Sequence, residues 1–98
     1  MVSEAYLITM RNALHRTSES FDSEIKRLIE AARCDLVLHG ILSEKANDES
    51  DPLITQAVSL YLKAEFPVDR EFADDYSNSY NSLRMALSLA AEYTEAKL

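Results

Sequence analysis

Apolar residues recur at spacings of three and four in four separate runs along the chain, and the stretches between the runs are short and mostly polar. From Ser3 to about Arg16, Ala5, Leu7, Ile8, Met10 and Leu14 follow this rhythm. A serine that can cap and an acid in the first turn precede them, which predicts a first helix over 3–16. Thr17-Ser18-Glu19-Ser20 has no such rhythm, and its hydroxyls compete for local backbone groups, so it reads as a connection. Phe21, Ile25, Leu28, Ile29, Ala32 and Leu36 then mark one face of a second helix over 22–39. Asp22 stands where a cap belongs, and Phe21 stands in the staple position before it. Gly40, the only glycine, is the expected left-handed end of that helix.

Ser43 to Ser50 shows no apolar periodicity and carries three acids against one lysine, so the connection over 40–51 is expected to be a solvated loop. Asp51-Pro52 is a strong start signal: an acceptor at the cap, then a residue with fixed φ whose missing donor is harmless in the first turn. Leu53, Ile54, Ala57, Val58, Tyr61, Leu62 and Phe66 form a wide stripe on a third helix over 52–66, and Leu60 and Ala64 widen it, so burial on more than one side is implied. Pro67 ends this helix, because the residue before a proline is pushed out of the helical region. Asp69 can cap a fourth helix over 69–92, with Phe72, Tyr76, Tyr80, Leu83 and Leu87 on one face. The segment from Tyr93 to Leu98 contains no break and reads either as a fraying continuation or as a tail that a partner orders. The fold class is therefore all-α, a small four-helix bundle within a single domain over 1–98.

Composition narrows the function classes. Ninety-eight residues at 47% hydrophobic suffice for one core, and a single Gly with two Pro is too little punctuation for a many-stranded sheet. The net charge is -7. Residues 43–98 carry most of the acid, and a field of that sign repels nucleic-acid backbones and anionic lipid. No specific nucleic-acid or membrane partner is expected. Neither an apolar run of membrane-spanning length nor a basic-then-apolar leader is visible, so the chain is expected in the cytoplasm. The lone Cys34 cannot form an internal disulfide.

Candidate chemistry is sparse. His15 and His39 lie near the ends of the first two helices and read as boundary imidazoles beside helix C-termini. Cys34 has Arg33 beside it but no surrounding motif, and a partly buried structural role is expected. The acids of 44–51 and Asp74-Asp75 lack the alternating ligands of a calcium loop and read as solvated surface. No phosphate-cradling glycine loop, nucleophile arrangement or tuned carboxylate pair is present, so neither an enzyme nor a cofactor or metal is expected. Tyr61, Tyr76, Tyr80 and Tyr93 place polar-tipped aromatic rings in the second half. Core packing is the plainer reading for each alone, but with the wide third-helix stripe they point to an oligomer or docking surface.

A resemblance adds to this reading. Asp51-Pro52-Leu53-Ile54, Ala57-Val58, Tyr61, Lys63-Ala64 and Phe66, then Asp69, Glu71, Phe72, Tyr76, Tyr80, Leu83, Leu87, Leu89 and Glu92-Tyr93, resemble the second half of phage and prophage head–tail connector proteins. Phe21-Asp22, Ile25, Leu28-Ile29-Glu30-Ala31-Ala32, Asp35-Leu36 and Gly40-Ile41 are similar to that family's second helix. Phe66-Pro67 departs from it, standing where a glycine often follows the aromatic. The resemblance implies a structural virion protein that forms a homo-oligomeric ring on the portal protein after DNA packaging. It also implies a platform for a downstream head-closure or tail-completion protein, with assembly in the bacterial cytoplasm. It implies no catalysis, and it points to Tyr93 through Leu98 as a portal-docking tail. The candidate interface residues are accordingly Tyr61, Tyr76, Tyr80, Tyr93 and Leu98. The alternatives are a small helical protein-interaction module, or a DNA-binding regulator with a helix-turn-helix in the first two helices.

Overall fold

The computed structural model describes residues 2–16, 18–66 and 70–95. Helices and turns account for the regular structure, with no strand among the described residues, in keeping with the all-α expectation. Helix α1 (Glu4–Ala13) begins where Ser3 Oγ accepts the Tyr6 N–H at 3.1 Å. It closes with His15 N–H to Asn12 O and Arg16 N–H to Arg11 O, both 3.0 Å. That pair of bonds requires a left-handed residue between helix and exit, and His15 supplies it at φ 56°.

A single 3-10 turn (Glu19–Phe21) leads into α2 (Asp22–Leu38). The cap expected at Asp22 does not form. Asp22 is the first helical residue, and Phe21 holds the cap position without a side-chain bond. The Asp22 carboxylate is taken by the largely covered Arg11, whose Nε and Nη2 reach it at 3.0 and 2.8 Å. A two-pronged charged pair outweighs a bond to a backbone amide. The other end of α2 is as expected: Gly40 has φ 96°, Gly40 N–H bonds Val37 O, and Ile41 N–H bonds Leu36 O. Ile41 is buried, completing the apolar contact that accompanies this type of helix end.

The connection over 40–51 is more ordered than the solvated loop expected from its composition. It contains the one-turn helix α3 (Ser43–Ala46), with Ala46 in the core and the carboxylate of Glu49 bound to two other segments. One turn is too short to display a periodicity, so the pattern of apolar positions could not reveal it.

Helix α4 (Pro52–Glu65) starts as predicted: Asp51 Oδ1 accepts the N–H groups of Leu53 and Ile54 at 2.9 and 3.1 Å. Its buried residues Ile54, Ala57, Val58 and Leu62 pack against α2 and, more extensively, against α5 (Ala73–Ser88). The Pro67 break and the Asp69 cap fall outside the described residues, and a 3-10 turn (Arg70–Phe72) precedes α5. The fourth helix, expected to run to about Glu92, ends at Ser88. Ala90 is extended, and a separate turn of helix, α6 (Ala91–Thr94), follows. No glycine or proline breaks the helix there. Tertiary bonds accompany the bend: Tyr93 O accepts the Leu42 N–H at 2.8 Å, and Tyr93 Oη donates to Asp51 Oδ1 at 3.2 Å.

Helix directions follow from the ring contacts. Phe21, at the start of α2, packs edge-on to Phe66, at the end of α4, with centroids 5.4 Å apart. Tyr61 on α4 meets Tyr80 on α5 in the same way at 5.3 Å, and Lys63, further along α4, reaches the ring of Tyr76, earlier on α5. Thus α4 runs opposite to both neighbours, and α2 and α5 point in the same direction. The core between them includes Leu7, Met10 and Leu14 of the α1 segment, Ile25, Ile29 and Leu36 of α2, and Leu87 of α5.

Candidate functional site

The four tyrosines separate into two kinds. Tyr80 and Tyr93 are 4% and 5% exposed and belong to the core. Tyr80 Oη donates to Asp35 Oδ2 at 2.5 Å, and Arg84 Nη1 reaches the same oxygen at 3.3 Å. Burial and then the bond to Asp35 push the Tyr80 hydroxyl far above its ordinary pKa. Tyr93 is pushed up to about 12 by burial and by its bond to Asp51. These two hydroxyls fasten α5 to α2 and α6 to the start of α4. Tyr61 and Tyr76 are half-buried: Tyr61 stacks on Tyr80, and Tyr76 has Lys63 Nζ 5.6 Å from its ring centre. Leu98 lies outside the described residues.

A second polar junction went unnoticed in the sequence. Arg33 on α2 is 3% exposed. Its Nη2 donates to Glu49 Oε2 at 3.0 Å, and its guanidinium lies 5.3 Å from the Tyr6 ring centre. Glu49 also accepts from the backbone N–H and the hydroxyl of Ser3, so α1, α2 and the 47–51 segment meet at one carboxylate. Burial works against the charge on Glu49, but the Ser3 bonds and Arg33 outweigh it and hold the carboxyl below its usual range. The junction is not saturated. Arg33 Nη1 is 3.6 Å from Glu30 Oε1, within ion-pair reach, yet neither Nη1 nor Nε has a hydrogen-bond partner. Buried donors of this kind are rare and costly.

Arg33 lies in a groove of about 450 Å³ between α2 and α3, lined also by Cys34, Val37 and Leu38. Cys34 is exposed, correcting the expectation of a partly buried thiol, because it falls on the outward side of α2. A further groove of about 510 Å³, lined by Val2, Ser23, Lys26, Arg27 and Glu30, continues along the same outer face, with Glu30 common to both. On α5 the outward face carries Asp74, Asp75, Asn78 and Ser82, then Met85, with Leu89 just beyond the helix. Leu38 and Leu89 are each 82% exposed, and Met85 is 62% exposed. The order of charges along the exposed stripes of the second and fourth helices was the sequence signal that could have found these faces.

Among the described residues no three His, Cys, Asp or Glu side chains gather as metal ligands. The features that stand out are outward helix faces, which suit contact with other proteins. Comparison with known families decides the class, since the model described as phage connector protein matches residues 7–94, from α1 through α6. The chain belongs to the phage connector protein family. Comparisons with curated proteins and with solved structures found no match. As a phage connector the chain is a structural component of the head–tail junction, and no described helix is long and apolar enough to cross a membrane.

Proposed function

We propose that this connector acts as an adaptor, assembling as a ring on the portal protein after DNA packaging and forming the platform for the next head-closure or tail-completion protein. The observation that carries the proposal is the family match across every helix of the fold. Its structural support is a small subunit with two distinct outward faces, which is what a closed head-to-tail ring requires. The acidic balance of -7 fits a ring that surrounds packaged DNA without binding it, letting the polymer pass. In this reading the chain works as one unit, and the residues after Tyr93 approach the portal while Tyr93 itself anchors them to α4. The half-buried Tyr61 and Tyr76 contribute ring surface where neighbours approach the α4–α5 side.

The test is co-assembly with portal rings from the same phage, viewed by electron microscopy. An added ring of density beneath the portal is the expected result. Portal rings left bare at micromolar connector would overturn the proposal, and tight salt-dependent binding to duplex DNA would favour the regulator reading.

A further inference from the structure

We infer that neighbouring copies of this chain meet with the outer face of α2 of one copy against the outer face of α5 of the next, the two helices parallel and in one register. The inference rests on the ring proposed above and names its interface. Three features of the subunit converge on it.

The first is direction. In a ring whose axis lies roughly along the helices, rotation preserves helix direction, so α2 and α5 of adjacent copies can pack lengthwise only in the relative sense they have within one copy. Within one copy they run the same way, since both oppose α4. Each also turns an exposed stripe away from the core.

The second is complementarity in that sense. Read from its start, the α2 stripe is basic at Lys26 and Arg27, then polar, then apolar at Val37 and Leu38. The α5 stripe, read the same way, is acidic at Asp74 and Asp75, then polar at Asn78 and Ser82, then apolar at Met85. One register sets Lys26 and Arg27 against Asp74 and Asp75, Cys34 against Ser82, and Val37 against Met85. The residues on both stripes step by one, three, four and three positions, which is the spacing at which two helices pack along their length. An antiparallel arrangement would set charge against apolar surface at both ends. Within the subunit neither Lys26, Asp74 nor Asp75 forms an ion pair among the described residues; Arg27 has only the exposed Glu24 one turn away.

The third is the unsaturated guanidinium. Arg33 borders the groove on the α2 face, and its Nε and Nη1 are buried without a hydrogen-bond partner in the subunit. The middle of the α5 stripe carries Asn78, Asn81 and Ser82, all exposed and all able to accept a hydrogen bond. The neighbour thus supplies acceptors at the level where α2 lacks them.

The chain's single cysteine makes the register directly testable. In the Ser82→Cys variant, Cys34 of one copy faces the new thiol of the next, within the Cα separation a disulfide spans. Mild oxidation of the portal-bound assembly, run on non-reducing gels, is expected to give a ladder of covalent multimers for Ser82→Cys and none for the parent chain or for Ser82→Cys with Cys34→Ala. A ring visible by microscopy with no ladder would overturn the α2–α5 interface while leaving the ring intact. The absence of any ring from the parent chain would overturn the ring reading itself, and this inference with it.

Discussion

Two polar junctions flank α2, and they are built on opposite principles. On one side Asp35 receives the Tyr80 hydroxyl and the Arg84 guanidinium, and Arg84 and Asp35 remain partly open to water. The Tyr80 hydroxyl and Arg84 Nη1 both find their acceptor within the subunit, and the shorter bond comes from a neutral hydroxyl. On the other side a nearly inaccessible Arg33 is neutralised by Glu49 and Glu30 and is left with two nitrogens unmatched. A complete junction serves the fold alone. An incomplete one, bordering a groove, carries a cost that a partner can remove. The sequence pattern singles out Tyr80, whereas nothing local in it signals the pairing of Arg33 with Glu49.

The comparison breaks most visibly at Glu49. Glu49→Ala leaves the buried Arg33 with only the exposed Glu30 and is expected to cost about 2 kcal/mol, moderated by the partial exposure of Glu49. Urea unfolding followed by circular dichroism would show it; an unchanged midpoint would mean that the Arg33 junction contributes nothing to the subunit. Tyr80→Phe removes one hydroxyl bond to Asp35, which keeps Arg84 and water, so a smaller loss of about 1 kcal/mol is expected in the same assay. If Tyr80→Phe proved the more damaging of the two, the ranking of the junctions would be inverted. Replacing both members of the charged pair, Arg33→Met with Glu49→Leu, should cost less than about 1 kcal/mol, because no unpaired charge remains. The same double variant should nevertheless assemble poorly, and normal assembly would detach Arg33 from the interface.

The tyrosine bonds also predict a pH dependence of definite sign. The folded protein holds the Tyr93 hydroxyl protonated up to about 12, above the ordinary value of 10.0, and Tyr80 is raised as well. A raised folded pKa contributes stability that is complete below pH 10 and is lost as pH climbs through the folded value. Stability should therefore decline between pH 10 and 12, and Tyr93→Phe should flatten part of that slope. A parent chain whose stability is flat across this window would remove the hydroxyl bonds from the account. The smallest expected effect on stability belongs to Lys26→Glu, an exposed residue outside both junctions, at less than about 0.5 kcal/mol. Its effect on ring formation should be large, and analytical ultracentrifugation beside a thermal melt separates the two.

The helices were legible wherever an apolar stripe ran for several turns. The Asp51-Pro52 start, the Gly40 end and the stripe of Ile54, Ala57, Val58 and Leu62 were readable because local chemistry and burial agree there. The segment Ser43–Ala46 was not, since one turn shows no repeat and its polar residues resemble any loop. Nor was the end of α5 at Ser88, where the bend serves Tyr93's bonds to Leu42 and Asp51 rather than any local break. Asp22 was misassigned because a carboxylate before a helix suits both a cap and a guanidinium, and only the fold brings Arg11 within reach. Of the candidate site, the tyrosines were legible as polar-tipped aromatic rings, but their burial was not: Tyr80 and Tyr93 are buried and Tyr61 and Tyr76 half-buried only once the helices pack. The most exposed large apolar residues are Leu38, Leu89 and Met85, which an amphipathic count treats as ordinary helix positions.

The central claim is that this connector closes a ring through complementary outward faces, and charge reversal tests it most directly. Three variants are needed: Lys26→Glu with Arg27→Glu, Asp74→Lys with Asp75→Lys, and all four changes together. Electron microscopy of portal rings incubated with each should show no added density for either pair alone, where like charges would meet at every subunit boundary. The fourfold variant should restore the ring, because it exchanges the signs of both faces at once. Rings formed equally well by the parent chain and by either singly reversed pair would contradict the account.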